Sequence, residues 1–105
     1  MQKDGRGNLV STKREIANGY RKVANWYESN PSKWLKHNFS DSYGKCCAVE
    51  CWDRQNPTLN RAPMAENDVL GTRLMSFNDH KASSVKDIIN GCRRIAAHLD
   101  HGGLV

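Results

Sequence analysis

Residues 84–103 read SVKDIINGCRRIAAHLDHGG. Val85, Ile88, Ile89, Cys92, Ala96 and Leu99 recur three and four positions apart, the period of one helix face rather than the alternation of a strand. The helix is expected to start near Ser83 or Ser84, where Ser84 can act as cap with Asp87 three residues on. It should stop at His101-Gly102-Gly103, because glycine accepts the backbone conformation that ends a helix. This stripe is the cleanest in the chain, and it needs a partner helix to bury it.

The first clear helix in the chain is TKREIANGYRKVANWYESNP, residues 12–31. Thr12 and Glu15 fit a capping box, in which each side chain satisfies the other residue's free backbone N–H. Ile16, Tyr20, Val23 and Tyr27 then fall on one face, with Arg14, Asn18, Arg21, Lys22 and Asn25 opposite. Asn30-Pro31 should end the helix, since proline disfavours a helical residue before it. Between these helices, Cys47, Ala48, Cys51 and Trp52 suit a short buried helix. A further helix is expected from about Met64 to Met75, weakened by Gly71, followed by a turn at Phe77-Asn78-Asp79-His80-Lys81. Trp34, Leu35 and Phe39 offer buried anchors, and 53–63 reads as a polar loop. No strand alternation is visible. The expectation is an all-α, or nearly all-α, compact single domain of about four helices. A flexible arm over 1–11 precedes it, the domain covers 12–101, and 102–105 form a tail.

The chain has 105 residues, enough for one modest core and too few for a two-domain enzyme. No apolar run is long enough to span a bilayer, and the polar N-terminus shows no secretory pattern. A cytoplasmic protein without membrane association is expected. Reduced, packed thiols at Cys46, Cys47, Cys51 and Cys92 fit that compartment better than disulfides. The cysteines lack the repeated pairs of a zinc module, so neither a metal nor another cofactor is assigned.

The net charge is +5, and it is unevenly placed. Residues 1–45 hold nine Lys/Arg against four Asp/Glu, whereas residues 46–105 hold seven of each. Such a field favours encounter with an anionic partner. Arg14, Arg21, Lys22, Lys33 and Lys36 are the candidate binding residues, with Trp34 as an interleaved aromatic able to stack on a base. No recognition-helix motif for duplex DNA is present. A second chemistry is a small cysteine-dependent enzyme using Cys47 or Cys46 with His80 and Asp79, because a thiol at a helix N-terminus near an imidazole can become nucleophilic. Cys47 heads an apolar run, which suits packing better than attack. The turn residues Asn78 and Asp79 are read first as shaping the approach to the last helix.

The order of features resembles a small family of uncharacterised domains found in actinobacteria, other bacteria and phages. The matching residues are Trp34, Gly44, Cys47-Ala48-Val49-Glu50-Cys51-Trp52, Phe77-Asn78-Asp79 and the helix from Ser84, spanning residues 12–99. Glu50 replaces the family's usual glycine, and Phe77 its usual tryptophan. The resemblance implies a helical fold and a phage or bacterial origin, and it carries no activity. The functional expectation is therefore a non-enzymatic binding protein. It would engage nucleic acid, a nucleotide or the nucleic-acid-binding surface of a host protein, with an anti-defence role as the biological setting.

Overall fold

The computed structural model describes residues 2–3, 9–10 and 12–105. The expected flexible arm falls mostly outside them. Within the arm, Gln2–Lys3 (β1) and Leu9–Val10 (β2) pair antiparallel, Gln2 opposite Val10 and Lys3 opposite Leu9. Everything else is helix and loop: α1 at Lys13–Ser29, α2 at Ala48–Gln55, α3 at Pro63–Leu70, α4 at Leu74–Ser76 and α5 at Val85–Asp100. Among the described residues no helix is long and apolar enough to cross a membrane.

The long pair α1 and α5 forms the frame. Thr12 caps α1 through the expected box, accepting from Glu15 N at 3.1 Å while Glu15 Oε1 accepts from Thr12 N at 3.3 Å. Ile16, Tyr20, Val23 and Tyr27 are buried against Ile88, Cys92, Ile95 and Leu99 of α5 in one core. Ser84 sits at the N-cap of α5, but its side chain makes no cap bond; Asp87 instead accepts from Ser83 N at 2.7 Å. The C-terminal residues are tied down: Gly103 N donates to His98 O at 2.9 Å, and Met64 N to Val105 O at 3.2 Å.

α2 closes the core from one side. Its Trp52 lies 4.5 Å from the Tyr20 ring, centroid to centroid. The approach requires glycine on α1, because a Cβ at Gly19 would stand 2.9 Å from Trp52 Cζ3 and closer still to Cη2. A methyl there forces the indole or the helix to shift.

Among the described residues there are five α-helices rather than about four, and the difference arises at Gly71. The helix expected over Met64–Met75 ends at Leu70, because Gly71 takes φ +77° and donates its N–H to Asn67 O. That left-handed cap turns the chain out of the helix, so Gly71 terminates the element instead of weakening it. The chain resumes as α4 and widens into a π-helical turn at Phe77–Lys81, closed by Ala82 N donating to Phe77 O at 2.8 Å. Phe39 is a second correction: it is 56 % exposed rather than a buried anchor, while Trp34 and Leu35 are half-buried.

A buried carboxylate joins α1 to α3. Tyr20 accepts from Ala62 N at 2.8 Å and donates to Glu66 Oε2 at 2.5 Å. Glu66, fully buried, also accepts from Leu74 N at 2.9 Å and pairs with Arg61 Nε at 3.3 Å. Three donors thus meet that carboxylate, at least one on each oxygen, which offsets the cost of burying its charge.

Candidate functional site

A cleft lies where the segment 34–47 meets the π-helical turn. The segment is not a loose loop. Cys46 N donates to Lys33 O at 2.8 Å, Leu35 N to Cys46 O at 3.1 Å, and Cys47 N to Phe39 O at 2.9 Å. Asp41 Oδ1 closes its tip by accepting from Tyr43 N and Lys45 N, both at 2.9 Å. Tyr27 holds the base from below, donating to Cys46 O at 2.7 Å.

Asn78 fastens this segment to the turn. Its Oδ1 accepts from Trp34 Nε1 at 2.7 Å and from Ala48 N at 3.0 Å. Its amide nitrogen donates to Leu35 O at 3.0 Å and to Asp79 Oδ1 at 2.9 Å. Asn78 is completely buried, and its four bonds span three elements. Next to it, Asp79 Oδ1 accepts from His37 N at 2.8 Å. That bond accompanies φ +67° at His37, a left-handed conformation that histidine adopts more readily than most residues with a side chain. A π-helical turn is a device found most often at functional sites.

The resulting cleft has a volume of about 290 Å³ and is lined by His37, Asn38, Phe39, Cys47, Met75 and Asp79. The rings of His37 and His80 meet 5.6 Å apart beside it. Burial alone would raise the Asp79 carboxyl, but the His37 N–H, the Asn78 amide and the two imidazoles outweigh it, holding the group below its ordinary range.

The cysteines are all free and buried. Cys47 caps α2, its sulfur accepting from Glu50 N at 3.5 Å. Burial pushes its thiol above the usual value despite that helix terminus. Cys46 and Cys51 titrate together: the Cys51 thiol lowers Cys46 to about 7, and the same contact together with burial drives Cys51 upward. The pair therefore releases at most one proton near neutrality. Among the described residues, no three His, Cys, Asp or Glu side chains converge as a metal-binding set.

The basic residues fall into two groups. Lys33 and Lys36, which flank the aromatic Trp34, lie at the start of the segment that walls the cleft. Lys33 Nζ donates to Tyr43 O at 2.8 Å, and Lys36 Nζ stands 5.6 Å over the Trp34 ring, a cation–π arrangement. Trp34 is thus occupied by Asn78 at its N–H and by Lys36 at one face, and it positions the segment. Arg14, Arg21 and Lys22 lie on α1, with Arg14 about 22 Å of helix rise before Ser29. Arg14 and Lys22 are exposed; Arg21 pairs with Asp100 and donates to Asn18 Oδ1 at 2.7 Å. Lys22 also lines a more polar cleft of about 340 Å³ with Glu15, Asn18 and the chain around Asn56.

Sequence reasoning singled out Cys47, Asp79, His80 and Trp34, and all of them are brought to this region. It missed His37, which reads as a linker histidine, and Met75, which reads as the end of a helix. Neither carries a local signal, because both reach the cleft through contacts distant in sequence. No family model, curated protein or solved structure matches this chain.

Proposed function

We propose that this is a small cytoplasmic, non-enzymatic binding protein of phage or bacterial origin that engages nucleic acid, a nucleotide or the nucleic-acid-binding surface of a host protein, in an anti-defence role. One observation carries the reading: the two signs of charge are used differently. Several carboxylates are committed to internal contacts, while Asp53 and Asp68 stay exposed. Glu15 caps α1, Asp41 and Asp79 hold the 34–47 segment, Asp87 receives Ser83 N, and Glu66 is buried. Glu28 and Asp100 are spent on Arg93 and Arg21. Arg14, Lys22 and Lys81 meanwhile stay exposed, and Lys36 borders the cleft segment. These exposed cations, in a chain of net charge +5, would attract phosphate through long-range field and counterion release.

The test is capture from bacterial host lysate, with and without nuclease, by the wild type and by an Arg14→Glu/Lys22→Glu/Lys36→Glu variant. Capture should weaken with salt and be lost in the variant. Capture that is salt-independent and unchanged in the variant overturns the proposal.

Cysteine-dependent catalysis by Cys47 or Cys46 with His80 and Asp79 is the second reading. It is favoured by the presence of Cys47 and Asp79 in one cleft. Against it stand the raised Cys47 thiol and the use of that sulfur as a helix cap.

A further inference from the structure

A third cleft, with a volume of about 400 Å³, opens between α2 and the residues that lead into α3 and α4. Its apolar lining is Val49, Trp52, Leu59 and Pro63. Trp52 Nε1 donates to Leu59 O at 2.9 Å, which fixes that wall. Charges of both signs line the same cleft. Asp53 stands four residues after Val49 on α2, so the two share a helix face. Arg61 precedes α3, and Arg73 is the N-cap residue of α4. Asp53 and Arg73 are exposed, and among the described residues neither makes an ion pair or a side-chain hydrogen bond. Arg61 is tied to Glu66 through Nε at 3.3 Å, yet its Nη1 is enclosed without a hydrogen-bond partner. A buried guanidinium nitrogen that lacks an acceptor is uncommon and costly, and it favours an anion at this wall. The opposite charges are therefore held in one cleft without neutralising each other by contact.

We infer that this cleft binds a free α-amino acid with a large apolar side chain. Arg73 and Arg61 hold its carboxylate, Asp53 holds its ammonium, and its side chain lies against Val49, Trp52, Leu59 and Pro63. The inference goes beyond the anion-binding reading above and does not rest on it. The planar fork of a guanidinium matches a carboxylate with two parallel hydrogen bonds. A dianion such as a terminal phosphate fits less well, because Glu66 offsets Arg61 from behind and Asp53 offsets Arg73 within the lining. A zwitterion brings no net charge and uses both signs. The volume lies inside the range of small-molecule sites, roughly 300–1,000 Å³. Glu66 fixes Arg61 and Trp52 fixes Leu59 before any ligand arrives, so binding requires little ordering of those walls.

Isothermal titration of the full chain with leucine, methionine and phenylalanine tests this. The amide and the N-acetyl derivative of the best binder, and glycine, remove in turn the carboxylate charge, the ammonium charge and the side chain. At least one of the three amino acids should bind, and each of these controls should bind at least tenfold more weakly. Arg73→Ala should weaken the amino acid at least tenfold. Asp53→Asn should do the same but leave the N-acetyl derivative unchanged, since that ligand has no ammonium to lose. Both positions are exposed, and circular dichroism melts check that the variants fold; the ligand series on the wild type does not depend on them. Lys22→Ala, in the cleft around Asn56, should bind as the wild type does. Absence of binding by all three amino acids overturns the inference. So does an amide or N-acetyl derivative that binds as tightly as its parent, or an Arg73→Ala affinity equal to wild type. Salt-dependent lysate capture is a separate readout, so its loss or survival bears on the anion-binding reading alone.

Discussion

The indole N–H of Trp34 donates to Asn78 Oδ1 across 2.7 Å, joining residues 44 positions apart in the chain. The same oxygen accepts the Ala48 N–H at 3.0 Å, so one side chain secures the cleft segment, the π-helical turn and the start of α2. Asn78 is the residue on which the shape of the candidate site depends.

Replacing Asn78 by Ala should destabilise the fold by about 2–4 kcal/mol, since it leaves the buried Ala48 N–H and the half-buried Trp34 N–H and Leu35 carbonyl without their partner. Trp34→Phe removes one donor together with its need and should cost less. Urea unfolding of both single variants and the double variant measures the coupling. Strictly additive losses would show that the two side chains do not act on each other.

Glu66 is the second sensitive point. Glu66→Ala leaves Arg61, Tyr20 and the Leu74 N–H without their acceptor and should cost about 3–5 kcal/mol, as for a buried pair that loses one partner. Tyr20→Phe strands the Ala62 N–H and should cost about 1–3 kcal/mol. Thermal and urea denaturation check the order; a Glu66→Ala protein as stable as wild type would contradict the network.

The thiols give a direct comparison between binding and catalysis. Burial raises Cys47, and burial followed by the Glu66 charge pushes Cys92 up to about 12. Both stay protonated at neutral pH. Cys46, lowered to about 7, is fully enclosed. Iodoacetamide at neutral pH should therefore label all four slowly in the folded protein and quickly in urea, with mass spectrometry as the readout. Rapid labelling of Cys47 alone would favour the cysteine-enzyme reading.

Asp79 links the site to acid. Its folded-state value lies below the ordinary carboxyl value, so its contribution to stability is complete above the unfolded value of about 3.9 and is lost as pH falls through the folded one. Acid unfolding of the wild type should thus show a loss below that range which Asp79→Asn lacks. The variant should be the less stable protein at neutral pH. Parallel acid curves for the two would remove Asp79 from this role.

The helices were legible because their signals are local. The Thr12–Glu15 box, the Ile16-Tyr20-Val23-Tyr27 face and the Val85-to-Leu99 stripe are interactions within one or two turns, and the structure contains them. Gly71 was visible as a weak point, but only its positive φ converts weakness into a stop. Phe39 was misread because an aromatic residue near other apolar residues resembles a core anchor. Nothing local distinguishes that from an aromatic left open at a cleft.

By itself the sequence determined that this is a helical protein with its excess positive charge in the first 45 residues, because periodicity, capping and composition are written in neighbouring positions. Tertiary structure alone decided which residues meet. Tyr20 finds Glu66 across 46 positions, Trp34 finds Asn78 across 44, and His37 is drawn beside His80 by a hydrogen bond to Asp79. Those contacts depend on loop closure and on mutual burial of distant surfaces, which no short stretch of chain encodes. The +5 was legible as a number; which cations stay exposed and which pair, as Arg21 does with Asp100 and Arg93 with Glu28, required the fold.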